Sequence, residues 1–484
     1  MNAEPTAVIV FFVTLLLTFG AAIYARLKSQ PSSAEEDLAG RSLNRWMIGL
    51  SAATTGNSGF IVTGAVGLGY AGGAQWLLLP LGWLIGDIIY WTIFPDKLNR
   101  LAHESKAVTL SELLTFDLSG ITAKIISVLV ALILVVFLSV YTSSQWLAGE
   151  KFLGGVFHIT SLTALLGFGS VIVLYSAIGG FRGSVYVDTL QAFIRIGGTV
   201  LALWVVLSSA SAMGSRFWSN LALAGGNFLN PLAGGGLIAA TAFMLGYAGA
   251  AVGFGLGQPQ IVSRYMAGES PQETKAAWWI YILFLQSTWL AMTVFGIVLR
   301  GVQPGIADPE TGLSLFFREN VGAIATGVIF ADVFATIAST SNGLLIAISQ
   351  TIRRDLLGLR QIASPRITTP FILILGLVTV ALSLALPGNV FTLAVSAISM
   401  IGAAVAGAVI IKVLHLRHSG GSLLFAIIGG FSAALIWHGA GLSAWFNETA
   451  IGIGAALLLN YLTRGRYVQT LSEEKVSKWI STPH

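Results

Sequence analysis

Apolar runs of about 20 residues recur thirteen times along this chain, and no other feature restricts its fold as tightly. A run of that length matches a helix crossing the hydrocarbon core of a bilayer. The runs fall at 6–26, 46–70, 74–96, 122–147, 160–178, 187–208, 233–257, 277–300, 322–352, 368–386, 388–411, 421–438 and 447–463. Backbone in lipid must satisfy its own hydrogen bonds, so these runs predict an all-α polytopic membrane protein with about 13 transmembrane helices. Composition agrees: 10% of residues are charged and 55% are hydrophobic, where soluble domains carry about 25% charged residues. That leaves no room for a sizeable soluble domain.

The net charge of +5 invites a nucleic-acid reading, but the placement of the charges gives a simpler one. With thirteen spans and the N-terminus outside, twenty-one of the 26 Lys and Arg residues fall on the cytoplasmic side and four outside. This is the positive-inside asymmetry. It predicts an integral, multi-pass protein of the plasma (inner) membrane with its C-terminus in the cytoplasm. The lipid bilayer is then the partner and no nucleic acid is required. Glu4 precedes the first run and Arg26 and Lys28 follow it, the order of an uncleaved first helix rather than a signal peptide. No cysteine is present, so disulfides and thiolate metal sites are excluded. No GxxxxGK[ST] or HExxH motif occurs, and no nucleophile is placed beside a base, so the chain does not read as an enzyme.

Two spans are interrupted. The second contains "SAATTGNSGF", Ser51 to Phe60, with hydroxyls, an amide and glycines where lipid should be. The seventh, "AFMLGYAGAAVGFGLGQPQ", Ala242 to Gln260, carries five glycines and ends near Pro259. Discontinuous helices at matching positions of two halves point to a transporter with an inverted repeat, while close helix packing through small residues is the competing explanation for the glycines. The ninth span adds Ser339, Thr340, Ser341 and Asn342 in a row. Hydroxyl and carbonyl oxygens suit hard cations such as Na⁺. Charges inside spans are costly and therefore informative. Asp188 opens the sixth span, either on an ion path or as a helix cap. Arg195 lies two turns on, in reach of an electrostatic link to Asp188, and Asp332 lies in the outer half of the ninth span.

The segments "EEDLAGRSLNRWMIGLSAATTGNSGF", "SAIGGFRGSVYVDTLQA", "GLGQPQIVSRYMAGES" and "ASTSNGLLIAISQTIRRDL" together resemble the sodium/solute symporter family, with the sodium/proline branch nearest through "VYTSSQWLAGEKF". The resemblance implies a five-plus-five inverted-repeat core with discontinuous helices and Na⁺-driven uptake of a small organic solute by alternating access. Residues 1–30 would form a leading helix and 31–412 the core, with repeats at about 46–208 and 233–411. Residues 413–463 would supply two trailing helices, and 464–484 a cytoplasmic tail. Carried over residue by residue, the sodium site would use carbonyls of Thr54, Asn57 and Thr336 and hydroxyls of Ser339 and Thr340. Some relatives place serines for a second sodium where this chain has Asn342 and Gly343, which implies one ion. Solute contacts would come from Gly56, Ser58, Tyr141, Ala251, Gly255 and Gln258. Gly56, Ala251 and Gly255 replace an acidic residue, a tryptophan and a tyrosine of the proline branch. A roomier, less aromatic pocket follows, for an amino acid or other carboxylate-bearing metabolite somewhat bulkier than proline. A neutral solute such as a sugar, a channel, and a sensor acting through a separate partner stand as the alternatives; the oligomeric state is left open.

Overall fold

The structure, a computed structural model, describes residues 5–28, 37–157, 159–360, 365–386 and 389–464. The leading end of the chain and most of the expected tail lie outside these. The principal helices are α1 (Pro5–Lys28), α2 (Arg45–Gly56), α3 (Val66–Gly72), α4 (Leu78–Ile93), α5 (Gly120–Phe157) and α6 (Ser161–Met213). They continue with α7 (Gly236–Gly257), α8 (Pro259–Met266), α9 (Trp278–Val302), α10 (Ala323–Thr351) and α11 (Pro365–Ala385). The last are α12 (Val390–Ile401), α13 (Gly407–Val413), α14 (Gly420–Gly439) and α15 (Glu448–Thr463). Among the described residues there is no β-strand, only a lone bridge between Leu43 and Gly268.

Every expected span overlaps helix, the second with a break at Asn57 and Ser58 and the last as a helix of 16 residues. Ten helical stretches among the described residues are long and apolar enough to cross a membrane. Two of them, Phe60–Ile93 and Ser161–Met213, each take in parts of two expected spans. At 1.5 Å per residue, the 53 residues of α6 run to about 80 Å, far more than a bilayer core. The helix is divided at Gly180, whose φ of 58° and ψ of −162° lie outside the range of other residues. In the other stretch Gly73 makes the turn. Its φ is 71°, and a Cβ there would sit 2.0 Å from the Phe228 carbonyl, which accepts from Ala74 N at 2.8 Å.

α10 and the stretch from Val390 to Val413 are buried along most of their length, whereas α1, α11 and α14 turn apolar side chains outward. Leu16 and Leu27 of α1 and Ile436 of α14 are exposed, as side chains facing lipid should be.

The seventh span departs from expectation. It is continuous helix through all five of its glycines and opens only after Gly257, at Gln258 (φ −87°, ψ 106°). The glycines serve packing instead. Cβ atoms at Gly246, Gly249 and Gly253 would lie 2.3 to 2.5 Å from Asn447, Ala450 and Thr449. Spaced three and four apart, they make one smooth stripe that lets the backbones of α7 and α15 approach.

Candidate functional site

The break after α2 can be followed hydrogen bond by hydrogen bond. In an unbroken helix Ser58 N–H would donate to the Thr54 carbonyl and Gly59 N–H to that of Thr55. Here Ser58 N donates to Gly56 O at 3.1 Å, and Gly59 N donates to Gln145 Oε1 of α5 at 2.9 Å. The chain resumes as a π-helical turn, Phe60–Ala65. Two carbonyls are thereby released inside the protein. Ser339 Oγ donates to Thr54 O at 3.1 Å and Thr340 Oγ1 to Thr55 O at 2.8 Å. The same hydroxyls approach Thr336 O at 3.1 and 3.5 Å. Thr54, Thr55, Thr336, Ser339 and Thr340 are all buried.

The structure thus brings together four of the five expected sodium residues. The fifth, Asn57, expected to contribute its backbone carbonyl, caps α2, and its side-chain amide donates to the Thr288 hydroxyl of α9. Thr55, which sequence reasoning passed over, supplies the second carbonyl contact. Bond counting could have found it, because a helix stopping at Gly56 frees the acceptors of residues 54 and 55. The chemistry fits a hard monovalent cation: the donors are neutral oxygens only, buried and fixed by two helices. Thr54 Oγ1 and Asn57 Oδ1 are also buried without a hydrogen-bond partner.

Asp188 is no cap. It lies within α6, fully buried, and its Oδ2 accepts from Ser51 Oγ at 2.7 Å, Thr55 Oγ1 at 3.0 Å and Arg264 Nη2 at 3.1 Å. Arg264 of α8 is itself 1% exposed and also donates to Ser51 and Ser184. Nor does Arg195 link to Asp188. Its Nη1 donates to Asp332 at 2.9 and 3.0 Å. Seven residues of separation had suggested the wrong pair, because tertiary packing offered each charge a nearer partner on another helix.

The expected solute residues do not frame an open pocket. A Cβ on Gly255 would meet the Tyr90 ring at 2.6 Å, and one on Gly56 would meet Phe254 at 3.4 Å. Ala251 packs against Gly86 of α4. The Tyr90 ring of α4 thus lies directly against Gly255, and Phe254 of α7 stands at ordinary contact distance from Gly56. Ser58 and Tyr141 are buried side by side. Gln258 Nε2 donates to Ile398 O at 3.3 Å, and its Oε1 accepts from Gln260. A small cavity of about 10 Å³, room for about one water, lies next door, lined by Phe60, Trp83, Tyr247, Ala250, Trp289 and Ser399. Phe60 and Ala250 are sequence neighbours of the expected Ser58 and Ala251.

Comparison with known proteins follows the same lines. The osmoregulated proline transporter OpuE of Bacillus subtilis (strain 168) is 26% identical over 427 residues, covering 84% of this chain and 83% of the relative. The sodium/proline symporter of Escherichia coli (strain K12) is 25% identical over 423 residues, with 83% and 81% covered. The solved structure of a Na⁺-coupled sialic acid symporter superposes with a TM-score of 0.78 at 17% identity, covering 96% of this chain and 98% of that one. MHP1, a nucleobase-cation-symport-1 family transporter, gives 0.54 at 15% identity, with 92% and 98% covered. At these identities the structural likenesses speak for a shared transporter fold. A profile of the sodium:solute symporter family matches residues 38–430, from just before α2 into α14, and by that span this chain belongs to the sodium:solute symporter family.

Proposed function

We propose that the chain imports a small amino acid or similar carboxylate-bearing metabolite together with one Na⁺. The ion is held by the carbonyls of Thr54, Thr55 and Thr336 and the hydroxyls of Ser339 and Thr340, with Asn57 at the edge of the set. The observation that carries this reading is the pair of hydroxyls on α10 facing two carbonyls released by the break in α2. An ion drawing those groups together ties the broken helix to α10, so the fit of the solute-side break depends on Na⁺. Asp188 shares Thr55 with the site, one residue away from the ion, and guides the ion on its inward path. The solute binds beside the break in α2, near Phe60, Ser58 and Tyr141. Curated relatives named as proline transporters support an amino acid. The Tyr90 ring against Gly255 argues against a solute much bulkier than proline. The N-terminus lies outside and the C-terminus in the cytoplasm.

Uptake into proteoliposomes, with and without a Na⁺ gradient and over a panel of amino acids, organic acids and sugars, tests the reading. Ser339→Ala/Thr340→Ala should raise the Na⁺ needed for half-maximal uptake by about tenfold or more, since each lost contact is worth about 1 kcal/mol. Asp188→Asn should slow turnover more than it weakens equilibrium Na⁺ binding. Unchanged Na⁺ dependence in the double variant sinks the ion site, and preference for a neutral sugar sinks the carboxylate.

A further inference from the structure

Asp87 of α4 plays no part in the sodium or solute sites, and its surroundings are unusual. It lies inside a membrane-crossing stretch and is 2% exposed. Among the described residues no basic side chain forms an ion pair with it. Gln286 of α9 donates from Nε2 to Asp87 Oδ2 at 3.1 Å, and the other end of that amide, Oε1, is buried without a partner. The titratable groups around the carboxyl are Tyr90 on its own helix, Tyr265 of α8 and Tyr281 of α9. Tyr247 of α7 is turned toward Glu448 instead. The hydroxyls of Tyr90 and Tyr265 approach each other and reach no other hydrogen-bond partner among the described residues. The nearest guanidinium, Arg264 beside Tyr265, is committed to Asp188, Ser51 and Ser184.

An ionised carboxylate in a bilayer interior costs several kcal/mol unless a cation compensates it. Two compensations need a cation from solution. A metal ion would need a shell of oxygens, and an organic ammonium would need room. Neither is provided, because the space is taken by Tyr90, Trp91, Tyr265 and Tyr281, whose ring centres lie 5.2 to 5.9 Å apart in the pairs that touch. A proton needs neither shell nor room.

We propose that Asp87 is an intramembrane proton-binding site, separate from the sodium oxygens, that gives the transport cycle a pH-dependent step. When a proton arrives from water, the carboxylate becomes a carboxylic acid. Its new O–H donates to Gln286 Oε1 once that amide rotates, which satisfies the orphaned oxygen. Release reverses both changes and returns the proton to water. The position links this event to the moving parts: Gly86, the preceding residue, packs on Ala248 and Ala251 of α7, and Tyr90, one turn on, packs on Gly255 beside the α7–α8 break.

The test is infrared difference spectroscopy of the purified full-length protein in lipid bilayers, titrated between about pH 5 and about pH 9, the range where buried carboxyls titrate. The wild type should show a carboxylic acid C=O band at the acid end that is lost at the alkaline end. The band should be absent in Asp87→Asn and present, at a displaced frequency, in Asp87→Glu, which keeps the assignment secure if the Asn variant does not fold. A band assigned to Asp87 that persists unchanged across the range overturns the proposal, since the group would then be a permanently neutral hydrogen-bond donor. No Asp87 band at any pH overturns it as well. The measurement uses no solute and no Na⁺ gradient, so it stands apart from the test of the transported solute.

Discussion

At the scale of single residues, charge pairing inside the membrane is where sequence and structure part most clearly. Arg195 and Asp332 are 1% and 0% exposed, so neither charge can turn to water if the other is lost. Removing one partner of such a pair leaves an unpaired buried charge and costs about 3–5 kcal/mol. Asp332→Leu should therefore lower the melting temperature of the detergent-solubilised protein sharply. Arg195→Met combined with Asp332→Leu should recover most of the loss, since apolar replacement of a whole buried pair is often neutral or better. A double variant no more stable than Asp332→Leu alone would refute the pairing as a stability element. Asp332 also accepts from Thr336 Oγ1 at 3.3 Å, which connects the pair to a residue of the sodium site. Thr336 thus answers to two neighbours, Asp332 through its hydroxyl and the Ser339 and Thr340 hydroxyls through its carbonyl.

At the scale of elements, glycine does two jobs that the sequence alone does not separate. In α2 it marks a true interruption, because Gly56 ends the helix and the next N–H groups find other acceptors. In α7 it allows contact. A third case joins α3 and α9: a Cβ on Gly296 would lie 2.1 Å from Val66 O, and one on Gly69 would lie 2.4 Å from Thr293 O. Each glycine takes the other helix's backbone directly, so neither helix can yield by a side-chain rotation. Gly296→Ala should destabilise by about 1–3 kcal/mol or more through overpacking. Gly454 of α15 faces open space, and Gly454→Ala should be neutral or stabilise by up to about 1 kcal/mol through helix propensity. Thermal unfolding of both variants in one detergent checks the contrast. Equal effects would show that propensity, not backbone approach, governs these glycines.

At the scale of the whole molecule, the two faces differ. On the face assigned to the cytoplasm, ion pairs cross between distant parts of the chain. Arg354 joins Asp37 and Glu112 at 2.9 Å each, Arg353 pairs with Asp37, and Arg45 pairs with Glu273. The opposite face holds a cleft of about 260 Å³ lined by Gln75, Trp76, Ala240, Phe243 and Trp445. Because the sequence has no cysteine, a single introduced one is a unique target for an impermeant maleimide. Arg216→Cys should react on intact cells and Lys97→Cys only after the membrane is opened. The reverse pattern would invert the proposed orientation. The sequence by itself determined the helical class, the positions of the spans, the break at Ser51 to Phe60 and the hydroxyls at Ser339 and Thr340. Those follow from local rules: lipid demands long apolar helices, and polar groups within them must find partners. Only the tertiary structure decided that the Thr55 carbonyl meets Thr340, that Arg264 and not Arg195 neutralises Asp188, and that Tyr90 fills the space beside Gly255. Each of these depends on which helix comes to lie alongside, and short-range pattern carries no record of contacts between residues such as 55 and 340 or 188 and 264.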